Sequence, residues 1–292
     1  MFPDARIWAP AFLCADLLEA VASDRVRFYP VGSGFEADVA VVDADAKPGD
    51  LVVVVAYFGL AVAERIRDFA CRRSDLVIVE DRAQALGPGL PACGRYALYS
   101  PRKLLGVADG GILVSLHPEA VLPQPASQAD AEALWRAPLL RSADPAGLDN
   151  GSWHAANQAK ERAMTAAPQA ATERSLAILA NAPLAPLVQA RLANWRALDG
   201  RLRRWSALTG PMESPPLGYV LRLDPAVRAR LLDALHAQRI FAAVHWPRIA
   251  APAEAFPREA SWTRELLTLP CDHRYGATEM TRIADAVVEH LG

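Results

Sequence analysis

Short apolar runs and amphipathic stretches alternate through the first third of the chain. Leu51 to Ala56 (L-V-V-V-V-A) and Leu76 to Val79 are continuous aliphatic runs of strand length. Without polar alternation, such runs predict strands covered on both faces. Ala37 to Val42 (A-D-V-A-V-V) and Gly111 to Ser115, after a Gly-Gly turn, read as two further strands. Ala15 to Val21 has helical apolar spacing. Ala61 to Cys71 sets Ile66 and Phe69 against Glu64, Arg65 and Asp68, which predicts a helix with one buried side. Strands alternating with helices predict an α/β fold with a mostly parallel sheet and helices on both faces.

The pattern then changes. Pro123, Pro125, Pro138, Pro145 and the turn Asp149-Asn150-Gly151-Ser152 fall in an Ala- and Pro-rich stretch that reads as a connector with helical pieces. A helical pattern runs from about residue 171 through Trp195 to Leu202, and Gly218 to Leu223 reads as a strand. Asp224 caps a helix to about His236, with Pro225 just inside its start. Ile240 to Val244 reads as a strand and Thr278 to Leu291 as a last helix. The expected organisation is a large domain over 1–118, a connector over 119–185 and a small α+β domain over 186–292.

Composition narrows the function classes. With 292 residues, 52% hydrophobic and 22% charged, the chain can bury a sizeable core. A net charge of -2 argues against a basic nucleic-acid footprint, so no nucleic-acid partner is expected. No apolar run approaches the roughly 18–20 residues of a membrane span, and no secretory signal opens the chain. Four scattered cysteines without C-x-x-C spacing do not staple a fold of this size, and a cytoplasmic setting is expected. Lysine occurs only at positions 47, 103 and 160, the other 28 basic residues being arginine. A lysine inside a motif is therefore informative, because arginine does not deprotonate to become a nucleophile.

Two segments carry candidate chemistry. Asp81 follows the apolar run Val77-Ile78-Val79 and so stands near the carboxyl end of a strand, where open α/β sheets bind ligands. Its carboxylate suits a cationic ring nitrogen, and it also suits the cap of a short helix through Gln84. In Tyr99-Ser100-Pro101-Arg102-Lys103, the lysine can form a Schiff base and carry a proton, or be a solvated loop residue. No G-x-G-x-x-G follows any strand, which disfavours a nicotinamide enzyme.

The order Asp81, Gln84, Lys103, then Asp109-Gly110-Gly111 resembles the DegT/DnrJ/StrS family of pyridoxal-phosphate (PLP) aminotransferases of fold type I. Ala9-Pro10-Ala11-Phe12-Leu13-Cys14, Val26-Arg27-Phe28-Tyr29-Pro30-Val31 and Tyr57-Phe58-Gly59 resemble that family's PAYLC, FYPV and YFG elements. Val244-His245-Trp246-Pro247 and the stretch from Leu267 to Gly276 resemble its small-domain motifs. The resemblance implies transfer of an amino group, with glutamate as donor, to a keto-sugar or similar keto substrate in a cytoplasmic homodimer. It implies that Asp81 pairs with the pyridine nitrogen, that Gln84 contacts the region of the phenolic oxygen and that Lys103 forms the Schiff base. Ser100 and Arg102 are the expected phosphate contacts. His245 borders the substrate, or forms with Trp246 a packed aromatic pair.

The chain begins almost at the PAYLC element, without the family's S-G-T-x-A-L turn whose helix N-terminus grips the phosphate. Leu98 stands where many relatives have a phosphate-contacting serine, and no G-x-N-x-R-M segment is found. Either the true start lies upstream of this sequence, or the expected phosphate site is incomplete. The alternative function is a non-catalytic aminotransferase-like scaffold.

Overall fold

The computed structural model describes residues 4–85, 91–163, 167–209, 212 and 214–292. Leu86 and Gly87, the end of the first candidate segment, lie outside the described residues.

The main sheet is built from β1 (Ile7–Pro10), β2 (Val26–Tyr29), β3 (Leu51–Val55), β4 (Val77–Asp81), β5 (Tyr96–Tyr99) and β6 (Ile112–Ser115). Their order across the sheet is β2-β1-β3-β4-β5-β6. The first five strands run parallel, and β6 closes the edge antiparallel to β5. The mostly parallel sheet is the one expected.

Residues along β3 explain why its run is unbroken by polar positions. Successive side chains point to opposite faces of a strand. Val52 and Val54 join Trp8, Ile66, Phe69 and Ile78 in one apolar cluster. Val53 and Val55 join Phe12, Tyr57, Trp195 and Trp262 in another. Each fully buried aliphatic side chain of this kind contributes roughly 1.5–3 kcal/mol. The first cluster lies under α1 (Ala40–Asp45) and α2 (Glu64–Arg72), and the second joins the sheet to the C-terminal elements.

The middle of the chain forms the short parallel pair β7 (Ser127–Gln128) and β8 (Gln169–Ala170), with α3 (Ala131–Ala143) and α4 (Asn150–Ala163) between them. Then come α5 (Glu173–Ala180), α6 (Leu184–Leu202), β9 (Tyr219–Arg222), α7 (Pro225–Ala237), α8 (Pro257–Glu265), β10 (Leu266–Leu269) and α9 (Ala277–Leu291). β9 and β10 pair antiparallel, and α6 and α9 pack together. No single helix among the described residues is long and apolar enough to cross a membrane.

Four local expectations are corrected. Ala37 to Val42 is not a strand: only Ala37 makes a bridge, and α1 begins at Ala40. Asp38 Oδ1 accepts from the Ala40 N–H and turns the chain at that point. Ile240 to Val244 is not a strand either, since only Ala243 bridges, to Thr268 at the edge of the small sheet. Ala15 to Val21 reduces to one 3-10 turn at Ala15–Leu18. The long helical pattern from 171 to 202 is two helices, because Pro183 sits between α5 and α6.

Candidate active site

The chemistry-bearing residues gather at the carboxyl ends of β3, β4 and β5. Asp81 is the last residue of β4, flanked in register by Val55 of β3 and Leu98 of β5. Its Oδ1 accepts from the Ala83 N–H at 2.8 Å, so one oxygen turns the chain while the carboxylate still closes a strand. No helix starts there. Burial pushes the carboxyl pKa up, against the pull of the Ala83 N–H and of the Lys103 charge.

Lys103 ends the 3-10 turn Pro101–Lys103 just after β5. Its N–H donates to Ser100 O at 3.1 Å, and Pro101 opens the turn. Solvent reaches the side chain, yet protein crowds it closely enough that desolvation lowers its pKa. Asp81 opposes that fall and Arg102 adds to it. An amine in an open cleft with a depressed pKa suits a nucleophile and proton carrier.

Gln84 is buried beside this pair. Its Oε1 accepts from the Phe58 N–H at 2.6 Å, while its Nε2 is buried with no hydrogen-bond partner among the described residues. Phe58 has φ 55 and Gly59 φ 86. A Cβ on Gly59 would lie 2.8 Å from Pro215 O and 2.9 Å from Gln84 O, so this turn requires glycine. The Tyr57-Phe58-Gly59 turn thus fixes one end of the Gln84 amide and leaves the other end without a partner among the described residues.

His245 reaches the same cleft from the C-terminal part. Its Nδ1 lies 3.0 Å from Thr268 Oγ1, and burial, with the Lys103 charge as second cause, pushes its pKa down to about 4. A histidine so placed is neutral near pH 7. The adjacent Trp246 ring packs edge-on to Phe12 at 5.1 Å and belongs to the aromatic core. The pair therefore divides, the imidazole facing the lysine and the indole facing the core. Cys14 also feels the Lys103 charge.

The two expected phosphate contacts differ. Ser100 is half-buried, and its hydroxyl makes no hydrogen bond among the described residues. Arg102 is engaged elsewhere: its Nη1 donates to Glu161 Oε1 of α4 at 3.0 Å.

Sequence reasoning missed the supports beneath these groups. Arg82 and Glu80, with side chains 1% and 0% exposed, pair at 2.7 Å. Arg82 also donates to Tyr99 OH at 3.1 Å, and Glu80 Oε2 accepts from the Cys93 N–H at 2.8 Å. This pair ties the end of β4 to the residue before Ser100. Asp109 of the Asp-Gly-Gly turn accepts from the Thr172 N–H at 2.7 Å, the Thr172 hydroxyl at 2.8 Å and the Ser175 hydroxyl. It anchors that turn to the cap of α5. An acidic and a basic residue flanking Asp81 were the one available sequence signal for the first support; nothing local marks the second.

No family model matches the chain, and no curated protein does. Solved structures do match. An aminotransferase of the DegT/DnrJ/EryC1/StrS group from Brucella abortus superposes with a TM-score of 0.64 over 99% of this chain and 80% of its own, at 18% identity. A putative sugar aminotransferase from Streptococcus pneumoniae in its PLP form gives 0.67 over 99% of this chain and 82% of its own, at 16% identity. DesV from S. venezuelae, bound to a ketimine intermediate, gives 0.68 over 99% of this chain and 79% of its own, at 21% identity. The chain has their fold. In that fold type I architecture, the cleft of Asp81, Gln84 and Lys103 lies where open parallel sheets take their ligands, beyond the carboxyl ends of the strands.

Proposed function

We propose that the chain is a PLP-dependent aminotransferase that transfers an amino group from a small amino donor, glutamate being the expected one, to a keto-sugar or similar keto substrate. The observation that carries this reading is the convergence of three groups. The Asp81 carboxylate and the Lys103 amine each feel the other's charge, and Gln84, three residues past the end of β4, buries an Nε2 without a partner among the described residues. The donor set fits a protonated pyridine that bears an aldehyde and a phenolic oxygen. Asp81 offers a negative charge for the ring nitrogen, Lys103 a free amine for the aldehyde, and Gln84 a buried N–H for the phenolic oxygen.

The cofactor, when bound, supplies an electron sink for bond breaking at the amino-bearing carbon. The protein does the rest. Asp81 keeps the ring nitrogen protonated by opposite charge. Lys103 would offer Nζ to the aldehyde and, when free, would carry a proton at the substrate carbon, a role helped by the burial that lowers its pKa. His245 borders this space as a neutral imidazole and adds no cation to compete for Asp81. A homodimer is part of the proposal, supported by the exposed apolar side chains Ile112, Val121, Leu122 and Leu148.

Leu98 at a family phosphate position and the tie of Arg102 to Glu161 favour the second reading, a non-catalytic scaffold. Titrating PLP into the purified protein separates the two. An enzyme develops a visible absorbance band, which then bleaches with a suitable amino donor and returns with a keto acceptor. A protein that never develops the band is the scaffold.

A further inference from the structure

The connector helix α4 brings a second lysine to the turn that carries the first. Glu161 Oε1 lies 3.0 Å from Arg102 Nη1 and 3.8 Å from Lys160 Nζ, so one carboxylate oxygen bridges two cations. The Lys160 side chain is only 8% exposed, which fixes its stem and limits where its ammonium can reach. Glu161 is 42% exposed and close to the end of α4, so its side chain can turn into solvent. One of the three lysines in this arginine-rich chain thus shares a carboxylate with Arg102, the residue before Lys103. Lys103 feels the charges of both Arg102 and Glu161, and Lys160 feels Arg102 and Asp109. Asp109 is already held by Thr172 and Ser175.

Any oxyanion able to displace the Glu161 carboxylate would meet a guanidinium and an ammonium together. A phosphate monoester carries about −1.5 to −2 charges at neutral pH and binds best to such charge-assisted donors. In the proposed cofactor the aldehyde and the phosphate-bearing arm leave from neighbouring ring carbons. Were Lys103 to hold the aldehyde, the adjoining Arg102, with Lys160 joined to it through Glu161, would supply positive charge for the arm.

We propose that Arg102 and Lys160 form the anion site for the cofactor's phosphate ester, and that Glu161 occupies this site until the phosphate displaces it. The inference rests on the aminotransferase reading. It accounts for a leucine at position 98: the charge is met from α4 instead of by a serine hydroxyl. It also makes Glu161 a built-in competitor, so binding is weaker than the two cations alone would give.

The test compares PLP with pyridoxal, which has the aldehyde and ring but no phosphate, by titration of the visible band in the wild-type chain, Lys160→Met and Glu161→Gln. The wild-type protein binds PLP more tightly than pyridoxal. Lys160→Met lowers the ratio of the two affinities by about ten-fold or more, the worth of one charge-assisted hydrogen bond. Glu161→Gln raises that ratio several-fold; the ratio is the readout because the Glu161 charge also acts on the Lys103 amine and so touches both aldehydes alike. A ratio unchanged in both variants overturns the anion site while leaving the cofactor reading intact. If Lys160→Met fails to fold, the gain in Glu161→Gln decides alone. A wild-type chain that gives no band with either aldehyde overturns the cofactor reading and this site with it.

Discussion

The Asp81 carboxylate and the Lys103 amine hold opposing charges at adjacent strand ends, and each offsets part of the other's burial. Asp81 pulls the lysine pKa up while desolvation pulls it down, and the lysine charge does the converse for the aspartate. Removing one partner should therefore shift the other in a known direction. In Asp81→Asn the Lys103 pKa falls further, because the group that raised it is gone. The rate of Lys103 modification by an amine-selective reagent at neutral pH, read by peptide mass spectrometry, should rise. An unchanged rate would mean that the two groups are not coupled.

The turn beneath Gln84 allows a sharper stability test. Gly59→Ala places a methyl at φ 86 against two carbonyl oxygens, and such backbone strain costs about 1–3 kcal/mol before any clash. Gln84→Ala strips the Phe58 N–H of its acceptor and should cost about 1–3 kcal/mol, the penalty for an unsatisfied buried donor. Chemical denaturation reads both. Because the two residues share one turn, the double variant should lose less than the sum of the single losses.

Breaking the Glu80–Arg82 pair at one end leaves a buried charge without compensation. Arg82→Met is expected to destabilise by about 3–5 kcal/mol. Glu80→Gln combined with Arg82→Met removes both charges and keeps an acceptor for the Cys93 N–H. That double variant should be more stable than Arg82→Met alone. If it is less stable, the pair's charges are not what the site depends on.

Much of this arrangement was legible in the sequence, for physical reasons that differ between elements. The run Leu51–Val55 announced a two-faced strand because burial on both sides demands apolar residues at every position. Asp224 with Pro225 announced the start of α7 because cap chemistry is local, and Asp224 Oδ1 does accept from the Ala226 N–H at 2.9 Å. Ala37 to Val42 misled because its valines favour a strand locally, whereas the turn at Asp38 and the burial of Val42 alone within α1 override that weak preference. The strand-end position of Asp81 followed from the apolar run before it, and Lys103, in the turn after β5, stood out through the scarcity of lysine and the motif order. The Glu161 bridge did not, since Arg102 and Glu161 are 59 residues apart and only tertiary folding brings them together.

His245 gives the fold a pH dependence whose sign is set by its pKa of about 4, below the ordinary value of 6.5, caused chiefly by burial and then by Lys103. Between these two values the unfolded chain holds the extra proton and the folded chain does not. The contribution of His245 is thus fully present above about pH 6.5 and is lost as the pH falls toward 4, on the order of 3 kcal/mol in all. Urea unfolding at pH 7 and near pH 4.5 should show the wild-type protein losing more stability than His245→Asn. Equal losses would place the imidazole in solvent instead of in the cleft.

The scarcity of lysine makes the central claim directly testable. Treating the protein with PLP and then a hydride reductant fixes the cofactor covalently to whichever amine holds it, and peptide mass spectrometry identifies the lysine. The only side-chain amines are those of Lys47, Lys103 and Lys160. The account predicts label on Lys103, none on Lys47 or Lys160, and none anywhere in Lys103→Arg. Label on Lys160 with Lys103 unmodified, or no label on any of the three, would contradict it.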